Sequence, residues 1–77
     1  MKNQSYSLKN RLAAFILETS VNGYYREPHT EVADYLGVTY RHLLYVLAGF
    51  VKEGKLQKTE SGYRIADSDG LRELIQE

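Results

Sequence analysis

A single α+β domain, mostly helical, is the fold class that this 77-residue sequence predicts. Apolar residues recur every three or four positions as far as residue 53, which is the period of an α-helix. After Gly54 the apolar positions fall in two short alternating runs, which is typical of strands. Glycines and the one proline separate the runs, so the predicted order is helix, short strand, helix, helix, strand, strand, helix. This is the order of a winged helix-turn-helix, in which the two later strands form a β-hairpin wing.

Composition limits what such a domain can be. Seventy-seven residues are enough for one hydrophobic core and too few for two. The absence of cysteine excludes disulfides and thiolate metal sites, and it favours a cytoplasmic location. The longest uninterrupted apolar run, Leu12 to Leu17, has six residues, whereas a membrane-spanning helix needs about twenty. We therefore expect a small cytoplasmic module that does not bind a membrane.

The formal net charge of zero hides an uneven distribution. Residues 1–23 carry a net charge of +2, residues 24–58 carry +1 and residues 59–77 carry −3. Within residues 39–58, four basic side chains stand against a single acidic one. Two interpretations fit this pattern, a solvated mixture of charges and a local basic surface that faces a polyanion.

The first helix is predicted to begin after Ser5 or Ser7, because either hydroxyl can accept a bond from a free first-turn amide. Asn22-Gly23 is predicted to end it, since both residues tolerate the positive φ found at helix ends. Its apolar residues lie on more than one face, so we expect it to pack on two sides or against something outside these 77 residues. The following Tyr24-Tyr25-Arg26 is β-prone, but it is too short to be a strand without a partner.

The second helix is predicted to open at Pro28 and to end at Gly37. Proline suits a helix start because its missing N–H has no partner there in any case, and glycine permits a left-handed exit. The apolar stripe of this helix consists of Val32, Tyr35 and Leu36.

The third helix is predicted over residues 39–53, with Thr39 as its cap and Gly54 after its end. Its spacing predicts an inward face that packs on the rest of the domain. The residues of that face are Leu43, Val46, Leu47 and Phe50.

The rest of the chain is predicted to form a hairpin over residues 55–66 and a short last helix. The hairpin turns through Glu60-Ser61-Gly62, with Gly62 at the tight position. Ser68 or Asp69 is expected to cap the last helix. Its apolar residues are Leu71, Leu74 and Ile75.

The second and third helices carry the pattern that points to function. Two helices that cross at a short turn need a small residue under the crossing and a glycine at the turn, and Ala33 and Gly37 stand four positions apart. A plain helical hairpin would have little reason to combine this pair with an apolar Val38. The pattern therefore favours a DNA-binding helix-turn-helix. Its seven supporting positions are Val32, Ala33, Leu36, Gly37, Val38, Leu43 and Val46.

The outward face of the third helix supplies the candidate base-reading residues. Arg41 can bind guanine through two hydrogen bonds, and an exposed Leu44 can contact a thymine methyl. Simpler roles are a solvated charge for Arg41, and packing on a neighbouring domain for Leu44 and Tyr45. The predicted base-reading set is Tyr40, Arg41, Leu44 and Tyr45. The predicted DNA-backbone set, drawn from the helix starts and the wing, is His29, Thr30, Thr39, His42, Lys58, Ser61 and Gly62.

Two other classes of function compete with DNA binding. A winged helix that binds a partner protein would also use an exposed Leu44 beside tyrosines, and a net charge of zero is a poor footprint for DNA. An enzyme is not expected, because two histidines without cysteine make no zinc set and no phosphate-cradling glycine pattern exists. No catalytic residue, metal or cofactor is predicted.

Three segments resemble the C-terminal DNA-binding domain of the Crp/Fnr regulator family. They are residues 10–17 (Asn-Arg-Leu-Ala-Ala-Phe-Ile-Leu), 31–39 (Glu-Val-Ala-Asp-Tyr-Leu-Gly-Val-Thr) and 50–56 (Phe-Val-Lys-Glu-Gly-Lys-Leu). Residues 40–47 look closer still to the YeiL-like branch of that family. The resemblance covers roughly residues 4–66. It implies a bacterial transcription regulator whose third helix enters the major groove of double-stranded DNA.

The resemblance also implies parts that these 77 residues do not contain. Family members carry an N-terminal sensory β-barrel and a long dimerisation helix, so we expect an isolated domain with a flexible segment at residues 1–5. The parent is then expected to be a homodimer that reads a two-fold symmetric operator and contacts RNA polymerase. The family commonly has glutamate where Arg41 stands and arginine where Tyr45 stands. The operator sequence of the family is therefore not expected to carry over.

Overall fold

The computed structural model describes residues 7–75, and the order of elements predicted from the sequence is confirmed. These residues form four helices and a small antiparallel sheet whose strand order is β1–β3–β2. The elements are α1 (Leu8–Thr19), β1 (Tyr24–Tyr25), α2 (His29–Leu36), α3 (Tyr40–Lys52), β2 (Leu56–Lys58), β3 (Tyr63–Ile65) and α4 (Ser68–Glu73).

Strand β3 lies at the centre of the sheet and gives the short β1 the partner that it needs. On one side β1 pairs with β3 through Tyr25 opposite Tyr63. On the other side β2 pairs with β3 through Leu56 opposite Ile65. The predicted hairpin of β2 and β3 is therefore present, and the loop before α2 is tied to it through β1.

The core lies between α1, α3 and the sheet. Completely buried side chains on α1 meet those of α3, and no polar or charged residue among residues 7–75 is buried with them apart from tyrosine. Because α1 packs on α2, α3 and α4, the predicted packing of this helix on more than one face is confirmed. The side chains with no exposed surface are Leu12, Ala13, Ile16, Tyr25, Leu43, Leu47, Phe50 and Leu71.

The corner turn, residues 37–39, joins α2 to α3 as predicted. Gly37 has a φ of +73°, and the Val38 N–H donates to the Ala33 carbonyl over 2.9 Å. This bond closes the left-handed helix end that favours glycine. Ala33 is only 5% exposed, which leaves no room for a larger side chain between the helices.

The predicted end of α1 is wrong. The helix ends at Thr19, and Asn22 and Gly23 form a separate two-residue turn with φ of 56° and 82°. Val21 and Tyr24 flank that turn and exchange two backbone bonds of 2.9 and 3.0 Å. Asn-Gly is the preferred pair for such a hairpin turn, so the positive φ was predicted correctly and its role was not.

The predicted cap of α4 is also wrong, because Asp67 takes that position ahead of Ser68 and Asp69. The Asp67 carboxylate accepts from the Gly70 N–H over 3.0 Å. The N–H groups of Ala66 and Asp67 both donate to the Lys55 carbonyl. These bonds hold the chain up to Asp67 against residue 55, and the helix begins at the next residue. At the other end of the chain, Ser7 caps α1 and Ser5 lies outside the described residues.

Tyr35 departs from the predicted stripe of α2. It is 75% exposed, and its ring rests on Phe15 with 5.3 Å between the centroids. Val32 is buried and Leu36 is half-buried, as an inward face requires. The stripe is therefore narrower than predicted, and Tyr35 contacts α1 through the Phe15 ring.

Candidate nucleic-acid interface

The start of α3 is fixed by Thr39, as predicted. Its Oγ1 accepts from the His42 N–H over 3.0 Å, which satisfies one of the free amides of the first turn. Thr39, Arg41 and His42 are exposed there. The helix start therefore presents a hydroxyl, free amides and basic side chains to an external partner.

The outward face of α3 forms a row of exposed side chains, which we call the outer row: Arg41, Tyr45, Ala48 and Lys52. Their spacing of four, three and four residues places them on one face of the helix. Tyr45 is 77% exposed. Neither Arg41 nor Lys52 forms an ion pair with another described residue, so both charges remain available to a partner.

Leu44 is not the exposed leucine that the sequence predicts. It is half-buried and packs against the hydrophobic core. Leu44 lies one residue before Tyr45, on the side of α3 between the outer row and the core, so only part of its side chain can reach a partner. Tyr40, by contrast, is 49% exposed at the start of the helix.

His29, the first residue of α2, connects the start of α3 to the wing. Its ring lies 6.3 Å from the Tyr40 ring and 5.9 Å from the Tyr63 ring of β3. On the wing, Lys58 Nζ lies 5.1 Å from the centroid of the same Tyr63 ring. The structure thus brings three predicted site residues, from three elements, around one buried tyrosine. They are His29, Tyr40 and Lys58.

The wing turn, residues 59–62, is closed by its own bonds. The Thr59 N–H donates to the Gly62 carbonyl over 2.8 Å, and the Gly62 N–H donates to Thr59 Oγ1 over 3.1 Å. The Gly62 amide is therefore already used inside the turn. Ser61 Oγ accepts from Arg26 Nε over 3.0 Å, which ties the wing turn to the loop before α2.

Gly62 occupies its position for a reason other than the predicted one. It is absent from the residues with positive φ, so the turn itself does not need glycine there. A Cβ at this position would overlap the carbonyl oxygen of Tyr25 and lie 3.1 Å from Arg26 Cα. The glycine is required because the wing turn lies directly against the backbone that follows β1.

An open cleft of about 280 Å³ lies between the start of α2 and the wing, and we call it the α2–wing cleft. Three basic residues line it, Arg26, His29 and Lys58, together with the carboxylates of Glu27 and Glu60. Ser61 and Gly62 complete the side formed by the wing turn. Four predicted backbone-contact residues are therefore neighbours here, although the sequence places them in two separate segments.

Burial controls the protonation of the side chains around this cleft. The pKa of His29 is lowered by burial and, to a smaller extent, by the positive charge of Lys58. Burial raises the pKa of Tyr63, with a smaller contribution from Tyr40. Burial likewise raises the pKa of Tyr25, assisted by Glu27 and Tyr63. At neutral pH the tyrosines therefore keep their protons and His29 is uncharged.

The predicted DNA-contact residues omit two basic residues of this surface. Arg26 was assigned only to a β-prone segment, yet it lines the α2–wing cleft. Lys52 was counted among the four basic side chains of residues 39–58 but not among the DNA contacts, although its spacing of eleven residues from Arg41 places it in the outer row. Lys55 is removed from the predicted basic surface, because it pairs with Glu53 over 2.9 Å. Thr30 is exposed on the first turn of α2, as predicted.

None of the helices formed by residues 7–75 has the length and apolar character needed to cross a membrane.

Comparison with known proteins gives the same assignment at three levels. The family model described as the Crp-like helix-turn-helix domain matches residues 10–74. The regulatory protein YeiL of Escherichia coli is 53% identical over 76 residues, which is 99% of this chain and 35% of the relative. The chain thus spans about a third of the length of that relative.

Two solved structures share the fold. A Crp/Fnr-family transcriptional regulator of Thermus thermophilus matches with a TM-score of 0.78 and 26% identity, over 94% of this chain and 42% of its own. A Crp/Fnr-family regulator of Eubacterium rectale matches with a TM-score of 0.80 and 31% identity, over 92% of this chain and 34% of its own. These matches confirm the predicted winged helix-turn-helix. The chain therefore belongs to the Crp-like helix-turn-helix domain family, the DNA-binding module of Crp/Fnr transcription regulators.

Proposed function

We propose that this domain binds double-stranded DNA sequence-specifically, with α3 in the major groove and the hairpin of residues 55–66 on the backbone. The observation that carries the proposal is the outer row of α3, because a capped helix presents unpaired Arg41 and Lys52 along one exposed face. An α-helix fits the major groove of B-form DNA, where base pairs are distinguishable. The match to a helix-turn-helix family supports the same orientation.

Base reading is assigned to Arg41 first. Its exposed guanidinium has no ion-pair partner among the described residues, and a bidentate bond to guanine is the commonest specific contact. Tyr40 and Tyr45 flank it and offer hydroxyls to base edges or phosphates. Leu44, being half-buried, contributes at most the exposed end of its side chain to a thymine methyl.

Backbone contacts are assigned to the two helix starts and the wing. Free amides at a helix start favour phosphate, and the side chains of Thr30 and Thr39 lie exposed there. Lys58 is an exposed basic side chain of the wing. The remaining assigned contacts are His29, His42, Ser61 and Gly62. Gly62 is assigned through the close approach of its backbone, because its N–H and its carbonyl are both bonded inside the wing turn.

The longer protein is proposed to act as a dimer. The matched regulators are roughly two to three times as long as this chain, and we infer that a preceding region dimerises the longer protein on a two-fold symmetric operator. RNA polymerase is proposed as a further partner of the longer protein, and the cytoplasm is the compartment in which a bacterial regulator meets DNA. No membrane partner is proposed.

Selection of binding sequences tests the function directly. The 77-residue chain is fused to an unrelated parallel coiled coil, and bound fragments are recovered from a random duplex library. We expect a two-fold symmetric consensus, because the second contact becomes intramolecular, and affinity that falls steeply with salt. Fragments without any consensus, or affinity that does not respond to salt, would instead indicate a protein-binding module.

A further inference from the structure

His29 is held so that only one of its two ring nitrogens can meet an external group. Nδ1 is buried and has no hydrogen-bond partner among residues 7–75. The ring is packed between Tyr40 and Tyr63, at 6.3 and 5.9 Å. A neutral imidazole donates from one nitrogen and accepts at the other. Nε2 is therefore the nitrogen that can serve a ligand, and it belongs to a residue that lines the α2–wing cleft.

The charges around this cleft are balanced while His29 is neutral. Arg26 and Lys58 contribute two positive charges, and Glu27 and Glu60 contribute two negative charges. A proton on His29 gives the group a net positive charge. Protonation of His29 therefore changes the formal charge of the α2–wing cleft from zero to +1, which favours an anion.

Other features of the cleft also fit an anion. The first-turn amides of α2, an eight-residue helix, lie at one end of it. Tyr25 also lines the cleft. Its side chain is completely buried, and its hydroxyl has no partner among the described residues.

We propose that the α2–wing cleft holds one phosphate of the DNA backbone and that His29 takes up a proton from solvent when that phosphate binds. The inference rests on the proposed DNA binding and adds a proton to it. No covalent step is involved, because the phosphodiester stays a monoanion and the imidazole becomes an imidazolium.

The direction of the pH effect follows from the two states of the domain. In the free domain, burial and Lys58 lower the pKa of His29, whereas a phosphate beside the ring favours the charged form. Affinity therefore rises as pH falls through the pKa of the bound state, and it levels off below the pKa of the free state. The groups that face His29 from the loop before α2, the wing and α3 are Tyr25, Arg26, Glu27, Lys58, Glu60, Tyr63 and Tyr40.

The test uses the 77-residue chain and a short duplex of mixed sequence, since a phosphate contact needs no particular operator. The chain has only two histidines, so imidazole resonances followed by NMR report each pKa, and His42→Gln identifies which resonance belongs to His29. We expect the pKa of His29 to rise when duplex is added. Affinity should increase up to about tenfold per pH unit between the free and bound pKa values.

Variants separate this proposal from DNA binding itself. His29→Gln should bind duplex more weakly than wild type at low pH. It should also lose the part of the pH dependence of affinity that the His29 pKa values account for, and thermal melting checks that the variant is folded. Lys58→Ala should raise the pKa of His29 in the free domain, because a repelling charge is removed. In the wild-type chain, inorganic phosphate at matched ionic strength should leave the pKa of His29 near its value in the free domain.

The contrary results distinguish failure of the proton-linked phosphate site from failure of DNA binding. Duplex binding with an unmoved His29 pKa, or a folded His29→Gln chain that keeps the full pH dependence, overturns the proton-linked phosphate and leaves DNA binding standing. An equal rise of the pKa with inorganic phosphate alone overturns the assignment to DNA. Absence of duplex binding at every pH overturns both proposals.

Discussion

The corner turn and the wing turn each contain a glycine, and the two glycines are required for different reasons. Gly37 has a φ of +73°, and a Cβ placed there would meet nothing within 4 Å. Gly62 has no positive φ, but a Cβ there would collide with the backbone of Tyr25 and Arg26. Gly37 is required because the local backbone has a positive φ. Gly62 is required because the wing turn contacts a segment that lies 36 residues away in sequence.

This difference also divides the two regions by function. The corner turn sets the direction of α3 and hence of Arg41, whereas the wing turn fixes Lys58 beside the start of α2. An error in the corner turn should therefore change which bases are read. A distorted wing turn should change how strongly any DNA is bound.

Four substitutions test this comparison, from the largest expected effect to the smallest. Two of them measure the stability of the turns, and two measure DNA binding.

Gly62→Ala is expected to have the largest effect. The new methyl group must push apart backbone atoms, which flexible side chains cannot absorb, so the free energy of unfolding should fall by about 2–3 kcal/mol. Gly49→Ala is the matched control, since that glycine lies inside α3 with nothing near its Cβ position. It should stabilise the domain by about 0.5–1 kcal/mol. Urea unfolding of both variants decides the matter, and a Gly62→Ala chain as stable as wild type would show that the wing turn is free to move.

Arg41→Ala should weaken binding to the selected site by about 1–3 kcal/mol and relax the preference at one base pair. Stability should hardly change, because Arg41 is exposed. Arg72→Ala, on α4, removes an arginine that pairs with Asp69 and should leave binding unchanged. Fluorescence anisotropy with selected and random duplexes measures both. Equal losses on the two duplexes would make Arg41 a phosphate contact.

Gly37→Val should destabilise the domain by about 1–2 kcal/mol, because the left-handed region is unfavourable for residues with a Cβ and most of all for β-branched ones. Gly37→Asn should cost distinctly less, since asparagine tolerates this conformation. Thermal melts compare the two. If both variants melt at the same temperature, the cost comes from lost space and the distinction drawn between the two glycines is wrong.

Lys58→Ala is expected to have the smallest effect on free energy. It should weaken binding to all duplexes about equally and reduce the slope of log affinity against log salt by about one unit. Lys9→Ala provides the control, because Lys9 lies on α1 and pairs with Glu53. Titrations at several salt concentrations give the slope. A loss confined to the selected sequence would place Lys58 on a base instead.

The sequence alone indicated the element order, the cap at Thr39 and the corner turn, because each depends on residues within one or two helical turns. Apolar spacing predicted the inward face of α3, and Ala33, Gly37 and Val38 predicted the crossing of α2 and α3. The errors lie elsewhere. Each error involves a contact with a distant segment. The Ile65 N–H donates to the Gly23 carbonyl over 2.7 Å, the Asp67 N–H donates to the Lys55 carbonyl, and Leu44 packs against the core.

The backbone conformations of this protein were therefore determined largely by the sequence, since φ preferences, capping and helical period act over a few residues. Tertiary structure decided which segments those conformations bring into contact. It paired β1 with β3, packed one side of Leu44 against the core, placed Gly62 directly against Tyr25, and brought His29 and Lys58 to one cleft. These outcomes depend on the distance between segments far apart in the chain, and the packing of the whole domain fixes that distance.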